Sequence, residues 1–597
     1  MASPMIHDLP FDEASMRAWA QGDPRAANWP VVYTLEGSDE VYVGETLNMA
    51  ARSRQHFGSV ERGHLRRAHV VVDDRFHKSA CLDLESFLIR LFSGDEARRV
   101  INRNTGIVDA DYYRRSEYQA GFDEIFEELR RRGLFTRSIP EIRNTDLFKL
   151  SPFKALTPDQ ATATEALVEA LFGDLEAGRS ATSVVRGDPG TGKTIVAIYL
   201  VKLLADIAEE ERHEDPSGET VFDDFFTAGH RALLSTPRIG LVVPQQSLRA
   251  SIKRVFEHTP NLSASMVLSP FDVGRSLERF DVLVVDEAHR LSQRAAQAVG
   301  VQTRDFGTIT ERLFGSDDHS RTQLDWVEAQ ADHRILMLDE LQAVRPSDLP
   351  SNVVSPLVER ARADGRMHLL ATQMRVAAGT DYVGYVREVL AMQGRFELDQ
   401  PDLGDYDLRF FEDPVEMRAA ILKRDDEAGL ARMVAGYAWP WRSKKDRALA
   451  DIEVGGLRLQ WNTVATEWIR SQSSREEVGS IHTVQGYDLN YAGVLIGPDL
   501  GWDADRQRIA FHRSHYFDRR GKANNHILGL SYSDEDVRAL VLNIYGVLLT
   551  RGMRGTYVHV VDPELRAVLK RYFKGSRRGE ADPLPSVERG SREMRTP

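Results

Sequence analysis

The chain has 597 residues, of which 42% are hydrophobic and 28% charged, with 43 Gly, 24 Pro and one Cys. That is the composition of an ordinary globular protein of roughly three to four domains. No apolar run approaches the roughly 18 residues of a membrane span, which excludes a helical membrane protein. The net charge of −13 argues against a protein that coats nucleic acid with its whole surface, while leaving room for a local basic site. Cys81 alone cannot form an internal disulfide or a Cys-based zinc site, so a reducing cytoplasm is expected. The opening MASPMIHDLP has neither the basic nor the apolar region of a secretory signal.

In chain order, the first elements are two short apolar runs, Val31-Val32-Tyr33 and Tyr42-Val43-Gly44, flanking a turn at Glu36-Gly37-Ser38-Asp39. A hairpin centred between Gly37 and Ser38 sets Tyr33 opposite Tyr42, on one face of the sheet. Asn48 is a good N-cap for the helix that follows, on which Arg52 and His56 share a face at i, i+4. The stretch from Arg52 to Val70 is rich in Arg and His, a pattern that ordinarily marks a solvated face. Leu82–Leu88 reads as an amphipathic helix with Leu84, Leu88 and Leu91 inward and Glu85 beside that face. Two facing tyrosines alone would be ordinary cross-strand packing.

The run Y-V-G-x-T-x-N-x-x-x-R-x-x-x-H from Tyr42 to His56, with Glu85, resembles the GIY-YIG nuclease domain. Val31 stands where that family's first triplet has Gly, and the tyrosine is kept. The resemblance implies that Tyr33 helps to deprotonate water and that Tyr42 supports the attack geometry. It implies that Arg52 stabilises the phosphorane and that Glu85 binds one Mg²⁺. His56 is either a structural partner or a catalytic group, and either Asn102 or Asn104 buttresses the site.

Residues 114–134 read as helix, and helical periodicity is lost across Arg137–Pro152, a domain joint. Beyond it, apolar runs such as SVVRG, RIGLVVP, DVLVVDE and HRILMLDE read as buried parallel strands between helices, an α/β pattern. The acidic stretch Glu209–Asp224 reads as a loop or insertion.

Leu156–Gln160 precedes the first of these strands, and a Gln there, Gln160, can read an adenine edge through its paired donor and acceptor. Gly187-Asp188-Pro189-Gly190-Thr191-Gly192-Lys193-Thr194 matches G-x-x-x-x-G-K-[ST] in full, between an apolar strand and a helix. Its backbone can wrap a phosphate at a helix N-terminus, with Lys193 on the β/γ oxygens and Thr194 on Mg²⁺. Asp281–His289 is a strand ending in two acids: Asp286 is placed to hold Mg²⁺ and Glu287 to polarise water. Together the two motifs indicate NTP hydrolysis. Further landmarks follow in order. Ile335–Gln342 ends in Asp339 and Gln342, suited to sensing a γ-phosphate. Arg375 follows a strand, Gln485 and Gly486 lie in the run Ile481–Asp488, and Arg551 and Arg554 lie in Leu548–Gly555.

Residues from about 145 to 565 resemble the Schlafen-group-3-like DNA/RNA helicase domain family, related to superfamily 1 helicases. Ala435–Trp441, Gln460-Trp461-Asn462 and His482–Asp488 also fit that family. The resemblance implies two RecA-like lobes with ATP between them, and makes Arg375 and Arg551 arginine fingers from the second lobe. Gln342, Gln485, Gly486 and Arg554 join the nucleotide-binding set. The Trp439–Trp461 region is read as core packing rather than a base-stacking platform.

The expected architecture is therefore α/β. An extension (1–27) precedes a small α+β GIY-YIG-like domain (28–136). Two RecA-like parallel-sheet lobes (145–365 and 366–570) and a disordered tail (574–597) follow. The expected function is an ATP-dependent nuclease–helicase on nucleic acid, DNA rather than RNA, in bacterial defence or repair. It would use ATP with one Mg²⁺, and a second Mg²⁺ in the nuclease site. The rival is an ATP-driven nucleic-acid sensor or regulator whose N-terminal domain binds without cutting.

Overall fold

The computed structural model describes residues 4–58, 62–102, 111–209, 222–295, 300–339, 344–372, 382–392, 398–464, 468–484 and 487–573. The reading of 574–597 as a tail, and most of the acidic stretch after residue 209, lie outside them.

Three sheets organise the chain. The first joins β1 (Met5–Pro10), β2 (Val31–Glu36), β3 (Glu40–Thr46), β4 (Arg67–Val72) and β5 (Arg99–Val100) in the order β1-β4-β2-β3-β5. Residues 1–27 are thus no mere extension, because β1 pairs antiparallel with β4 along its whole length. Val32, Val41, Val43 and Val71 face the helix Lys78–Asp95, where Leu84, Leu88 and Leu91 are buried as expected. The opposite face carries Val31, Tyr33, Leu35 and Tyr42 against Met16 and Met49. The helix read over 114–134 spans Arg115–Arg131.

The second sheet is wholly parallel. It contains β6 (Ala181–Gly187), β7 (Ile239–Val242), β8 (Val267–Leu268), β9 (Phe280–Val285), β10 (Ala331–Leu338) and β11 (Met367–Leu370), ordered β11-β6-β10-β9-β7-β8. Both faces are covered by helices, so its strands are nearly continuous apolar runs. β11 pairs with β6, which moves the boundary drawn at 365/366 past residue 370.

The third sheet contains β12 (Asp407–Phe410), β13 (Ala431–Ala435), β14 (Ile452–Val454), β15 (Leu457–Trp461) and β16 (Glu477–Ser480). It also contains β17 (Leu489–Ile496) and, beyond a side hairpin of β18 (Leu500–Asp503) and β19 (Arg508–Phe511), β20 (Gly552–Val560). Its order is β12-β20-β17-β13-β16-β15-β14, parallel except for the β14–β15 pair. Trp439 and Trp461 are buried in its core, as expected of packing residues. Among the described residues no helix is long and apolar enough to cross a membrane.

Asp499, at the end of the third sheet, is fully buried and accepts a 2.7 Å hydrogen bond from Tyr545 Oη. Burial, only partly opposed by that bond, raises its carboxyl from 3.8 to about 7. The folded protein then holds a proton that the unfolded chain releases between those two values. Stability should therefore fall as pH rises from about 4 to about 7, and Asp499→Asn should flatten that slope. Urea unfolding of both proteins across this range checks it; equal slopes would contradict it.

Candidate functional site

The C-terminal edge of the second sheet gathers the residues of the first candidate site. β6 ends at Gly187, the loop runs to Gly192, and the helix Lys193–Glu209 begins at once. Gly190 and Gly192 have φ of 91° and 81°, a left-handed backbone that L side chains rarely adopt, so the wrap needs glycine there. Lys193 is buried, its Nζ donating to the carbonyls of Gly187 and, at 3.1 Å, Asp188. Asp339, just past β10, lies 3.6 Å from the same nitrogen. Gln160 does not present a free amide edge to a base. It is buried, its Nε2 donates to the Thr191 carbonyl at 2.8 Å, and its Oε1 accepts from Thr157 N at 3.1 Å. Its observed task is to brace the loop and cap its own helix.

The acid pair meets the loop across the end of β10. Thr194 Oγ1 donates to Asp286 Oδ2 at 2.9 Å, while Asp286 Oδ1 is buried without a hydrogen-bond partner. Burial, then the neighbouring Glu287, pushes the Asp286 carboxyl above the usual range. Glu287 sits in a left-handed turn at φ 49°, ψ 46°. Burial would raise its carboxyl too, but His289, Arg290 and Lys193 outweigh burial and hold it below the usual range. His289 Nδ1 accepts from the Asp339 N–H at 3.3 Å, so Nε2 carries the ring proton. That Nε2 lies 2.9 Å from Glu287 Oε2, close enough for attraction but misaligned for a hydrogen bond. An orphaned, buried carboxylate oxygen beside a threonine hydroxyl is a donor set that fits Mg²⁺.

The expected arginine fingers fare differently. Arg551 is buried, and its Nη1 donates to the Tyr487 carbonyl at 3.3 Å within its own unit. Arg554 is exposed on β20. Arg375, Gln342, Gln485 and Gly486 lie outside the described residues. A residue that no motif marked, Arg387, reaches Asp188 at 2.6 Å from the helix Tyr382–Leu390. Only the fold brings it there.

A cavity of about 590 Å³ opens between the two parallel-sheet units. Gln245, Arg249 and Phe271 line it from the ends of β7 and β8, with Arg290 and Arg345 beyond, and His482, Arg520 and Asn524 face them from the other unit. Among the described residues that line it, Asp348 alone is acidic beside several arginines, against the acidic balance of the whole chain. His482 Nε2 lies 2.9 Å from Arg345 Nη2 and 3.2 Å from Asp518 Oδ2, and burial foremost holds His482 below its ordinary pKa. Guanidinium groups beside side-chain amides suit phosphate oxygens and base edges.

The first sheet carries a second candidate site. The hairpin turns one residue later than expected: Tyr33 pairs with Gly44, and Leu35 with Tyr42. The shift of the turn centre by one residue keeps the parity, so Tyr33 and Tyr42 still share a face, diagonally, with ring centroids 6.1 Å apart. Gly44 explains the register, because a Cβ there would stand 2.5 Å from Tyr33 Oη. Asn48 caps the next helix, Met49–Phe57, as expected. Tyr33 is buried, and burial first, then Tyr42, pushes its pKa well above the ordinary value against the pull of Arg52.

The hydrogen bonds around Tyr33 determine a tautomer. Arg62 Nη1 lies 3.0 Å from His56 Nδ1, and a guanidinium only donates, so Nδ1 accepts. His56 Nε2 therefore carries the proton and donates to Tyr33 Oη at 2.7 Å, while Arg52 Nε donates to the same oxygen at 3.2 Å. Arg62 also covers the Tyr42 ring at 4.3 Å. Arg62 was legible only as part of a basic run. Glu85 is near enough to Tyr33 to raise its pKa. Of the two asparagines, Asn102 exchanges 3.0 and 2.6 Å bonds with the backbone of Val43, and Asn104 lies outside the described residues. Among the described residues no group of three or more His, Cys, Asp or Glu is placed to hold a metal ion.

The family described as Schlafen group 3, DNA/RNA helicase domain, matches residues 180–562. The uncharacterized protein YPL245W of Saccharomyces cerevisiae is 28% identical over 423 residues, covering 66% of this chain and 84% of that one. Among solved structures, an arterivirus nonstructural protein 10 helicase in complex with DNA gives a TM-score of 0.26 at 12% identity, covering 67% of this chain and 64% of that one. This chain thus spans just under two thirds of that protein. A Bacteroides Pif1 helicase in complex with ADP-AlF3 and ssDNA gives 0.25 at 10%, covering 69% and 94%. Scores this low add nothing to the geometry above.

Gly44→Ala should displace the Tyr33 ring and cost about 1–3 kcal/mol, read by denaturant unfolding. A neutral substitution would contradict the close approach.

Proposed function

Because the chain belongs to the Schlafen group 3 DNA/RNA helicase domain family, we propose that it is an ATP-driven motor on nucleic acid, built from two RecA-like lobes. The observation that carries this reading is the 2.9 Å contact between Thr194 of the phosphate loop and Asp286 of the acid pair. It puts the loop, the candidate Mg²⁺ ligands and the candidate water-orienting acid within one hydrogen bond of each other. Thr194 and Asp286 would hold Mg²⁺, which supplies charge neutralisation on the phosphates when bound. Lys193 leaves the carbonyls of Gly187 and Asp188 for phosphate oxygens. Glu287, kept ionised by His289, Arg290 and Lys193, accepts a proton from the attacking water. The arginine-lined cavity between the lobes is the path assigned to nucleic acid.

For the first sheet we propose metal-dependent phosphodiester cleavage, with Tyr33, Tyr42, Arg52, His56 and Glu85 as the site of a GIY-YIG-like nuclease. The support is the two donors converging on Tyr33 Oη, which turn the phenol's own proton away from Arg52 and His56. The opposing observation is the complete burial of Tyr33, which suppresses loss of that proton and favours the rival reading, binding without cutting. The family assignment bears on the motor alone. DNA as substrate and a role in defence or repair are part of the proposal.

One set of purified variants tests both halves, assayed on DNA and on RNA with and without Mg²⁺. Lys193→Ala should lose ATP turnover by about a hundredfold or more, and Glu287→Gln by about 10²–10⁴-fold with nucleotide binding kept. Glu85→Ala should lose cleavage while nucleic-acid-stimulated ATPase stays near wild type. Undiminished ATPase in folded Lys193→Ala sinks the motor. Absence of Mg²⁺-dependent cleavage by wild type favours the binding-only reading.

A further inference from the structure

The helix Tyr382–Leu390 belongs to the second lobe by its packing. Tyr382, Val386, Val389 and Leu390 are buried in the same core as Val494, Tyr545 and Leu548. The Tyr382 hydroxyl donates to the Leu549 carbonyl at 3.0 Å, which pins the start of the helix to that lobe. Arg387 is carried by this helix, yet its guanidinium leaves the lobe. Nη1 donates to Asp188 Oδ1 in the phosphate loop at 2.6 Å, and Nη2 lies 3.8 Å from Asp339 Oδ1.

Asp339 is buried and stands between two cations. Lys193 approaches its Oδ2 at 3.6 Å and Arg387 its Oδ1 at 3.8 Å. The phosphate-loop lysine and an arginine from the opposite lobe therefore face one carboxylate at the place where the loop receives phosphate. The Arg387–Asp188 pair is partly open to solvent, with side-chain exposures of 28% and 54%. A pair that exposed contributes little to stability and exchanges readily. A terminal phosphate, with more charge than one carboxylate and a geometry that suits the planar guanidinium, is the better partner.

We propose that Arg387 is a phosphate-contacting arginine of the second lobe: it exchanges Asp188 for the terminal phosphate of the bound nucleoside triphosphate. It thereby ties closure of the two lobes to the presence of that phosphate. The inference rests on the ATPase reading above. It assigns the role to a residue outside every motif, whereas Arg551 is held by the Tyr487 carbonyl.

The test is titration of fluorescent ADP and of β,γ-imido-ATP, with Mg²⁺, into wild type, Arg387→Ala, Arg387→Lys and Asp188→Asn. Steady-state ATPase and thermal unfolding accompany each variant. Arg387→Ala should bind ADP within about twofold of wild type and the imido analogue about tenfold more weakly, with kcat down by about tenfold or more. Arg387→Lys should recover part of both losses. Asp188→Asn, which removes the resting partner, should bind the analogue at least as well as wild type. An unchanged ratio of the two affinities in Arg387→Ala would overturn the proposal. So would equal losses in Arg387→Ala and Asp188→Asn, the result expected of an ion pair that only holds the lobes together. Wild type that binds neither nucleotide would instead remove the ATPase reading, and this inference with it.

Discussion

A buried carboxylate oxygen with nothing to bond to is the constraint around which the motor half is arranged. Asp286 is carried there by β9, a strand buried on both sides, and its Oδ2 takes the Thr194 hydroxyl while Oδ1 is left bare. Burial of an unpaired polar atom costs roughly 1–3 kcal/mol, and a charged one costs more. The protein bears this cost at the edge of a parallel sheet, where β6, β9 and β10 all end and loop residues converge. Nearby, Lys193 Nζ lies 3.6 Å from Asp339 Oδ2, and the Asp339 N–H donates to His289 Nδ1 at 3.3 Å. On the proposed reading, a divalent cation with a polyphosphate would relieve that cost.

The segment between the first sheet and the motor is a packed junction rather than a loose joint. Asn144 Nδ2 donates to the Ala428 carbonyl, and Asn490 Nδ2 to Asn144 Oδ1 at 3.3 Å. Ser251 Oγ donates to Asp146 at 2.7 Å and meets Tyr487 Oη at 3.1 Å. Lys149 reaches the Asp488 carbonyl at 3.1 Å, and Arg254 pairs with Glu96 of the N-terminal unit at 3.0 Å. Residues of both lobes therefore touch the same short segment. Ser251 lies on the helix Gln246–Glu257, whose first turn lines the inter-lobe cavity, and Tyr487 closely follows His482 on the cavity's other wall.

Much of this was legible in the sequence because local chemistry and fold agree. The phosphate loop lies between β6 and its helix as its glycines, lysine and threonine require, and the two acids end β9. The Leu84–Leu88–Leu91 stripe is buried and the tryptophans pack the core, since periodicity reports burial directly. What was not legible depends on contacts between distant segments. The membership of β1 in the first sheet follows from pairing with a strand some sixty residues away, which a short alternating run cannot reveal. The hairpin register turns on Gly44 making room for a ring opposite it. Gln160 has the right chemistry to read adenine, but the loop carbonyl beside it takes its amide first. Arg387 and Arg62 carry no motif at all; each matters through where a neighbouring element places it.

The central claim is that Thr194 and Asp286 form a metal-nucleotide site with Lys193. A structure of the full chain with Mg²⁺, ADP and aluminium fluoride tests it most directly. The account predicts that Thr194 and Asp286 turn onto one Mg²⁺ ion and that Lys193 leaves the Gly187 carbonyl for the phosphates. Lys193 still on the Gly187 and Asp188 carbonyls, with Thr194 still bonded to Asp286 and no metal beside them, would contradict it.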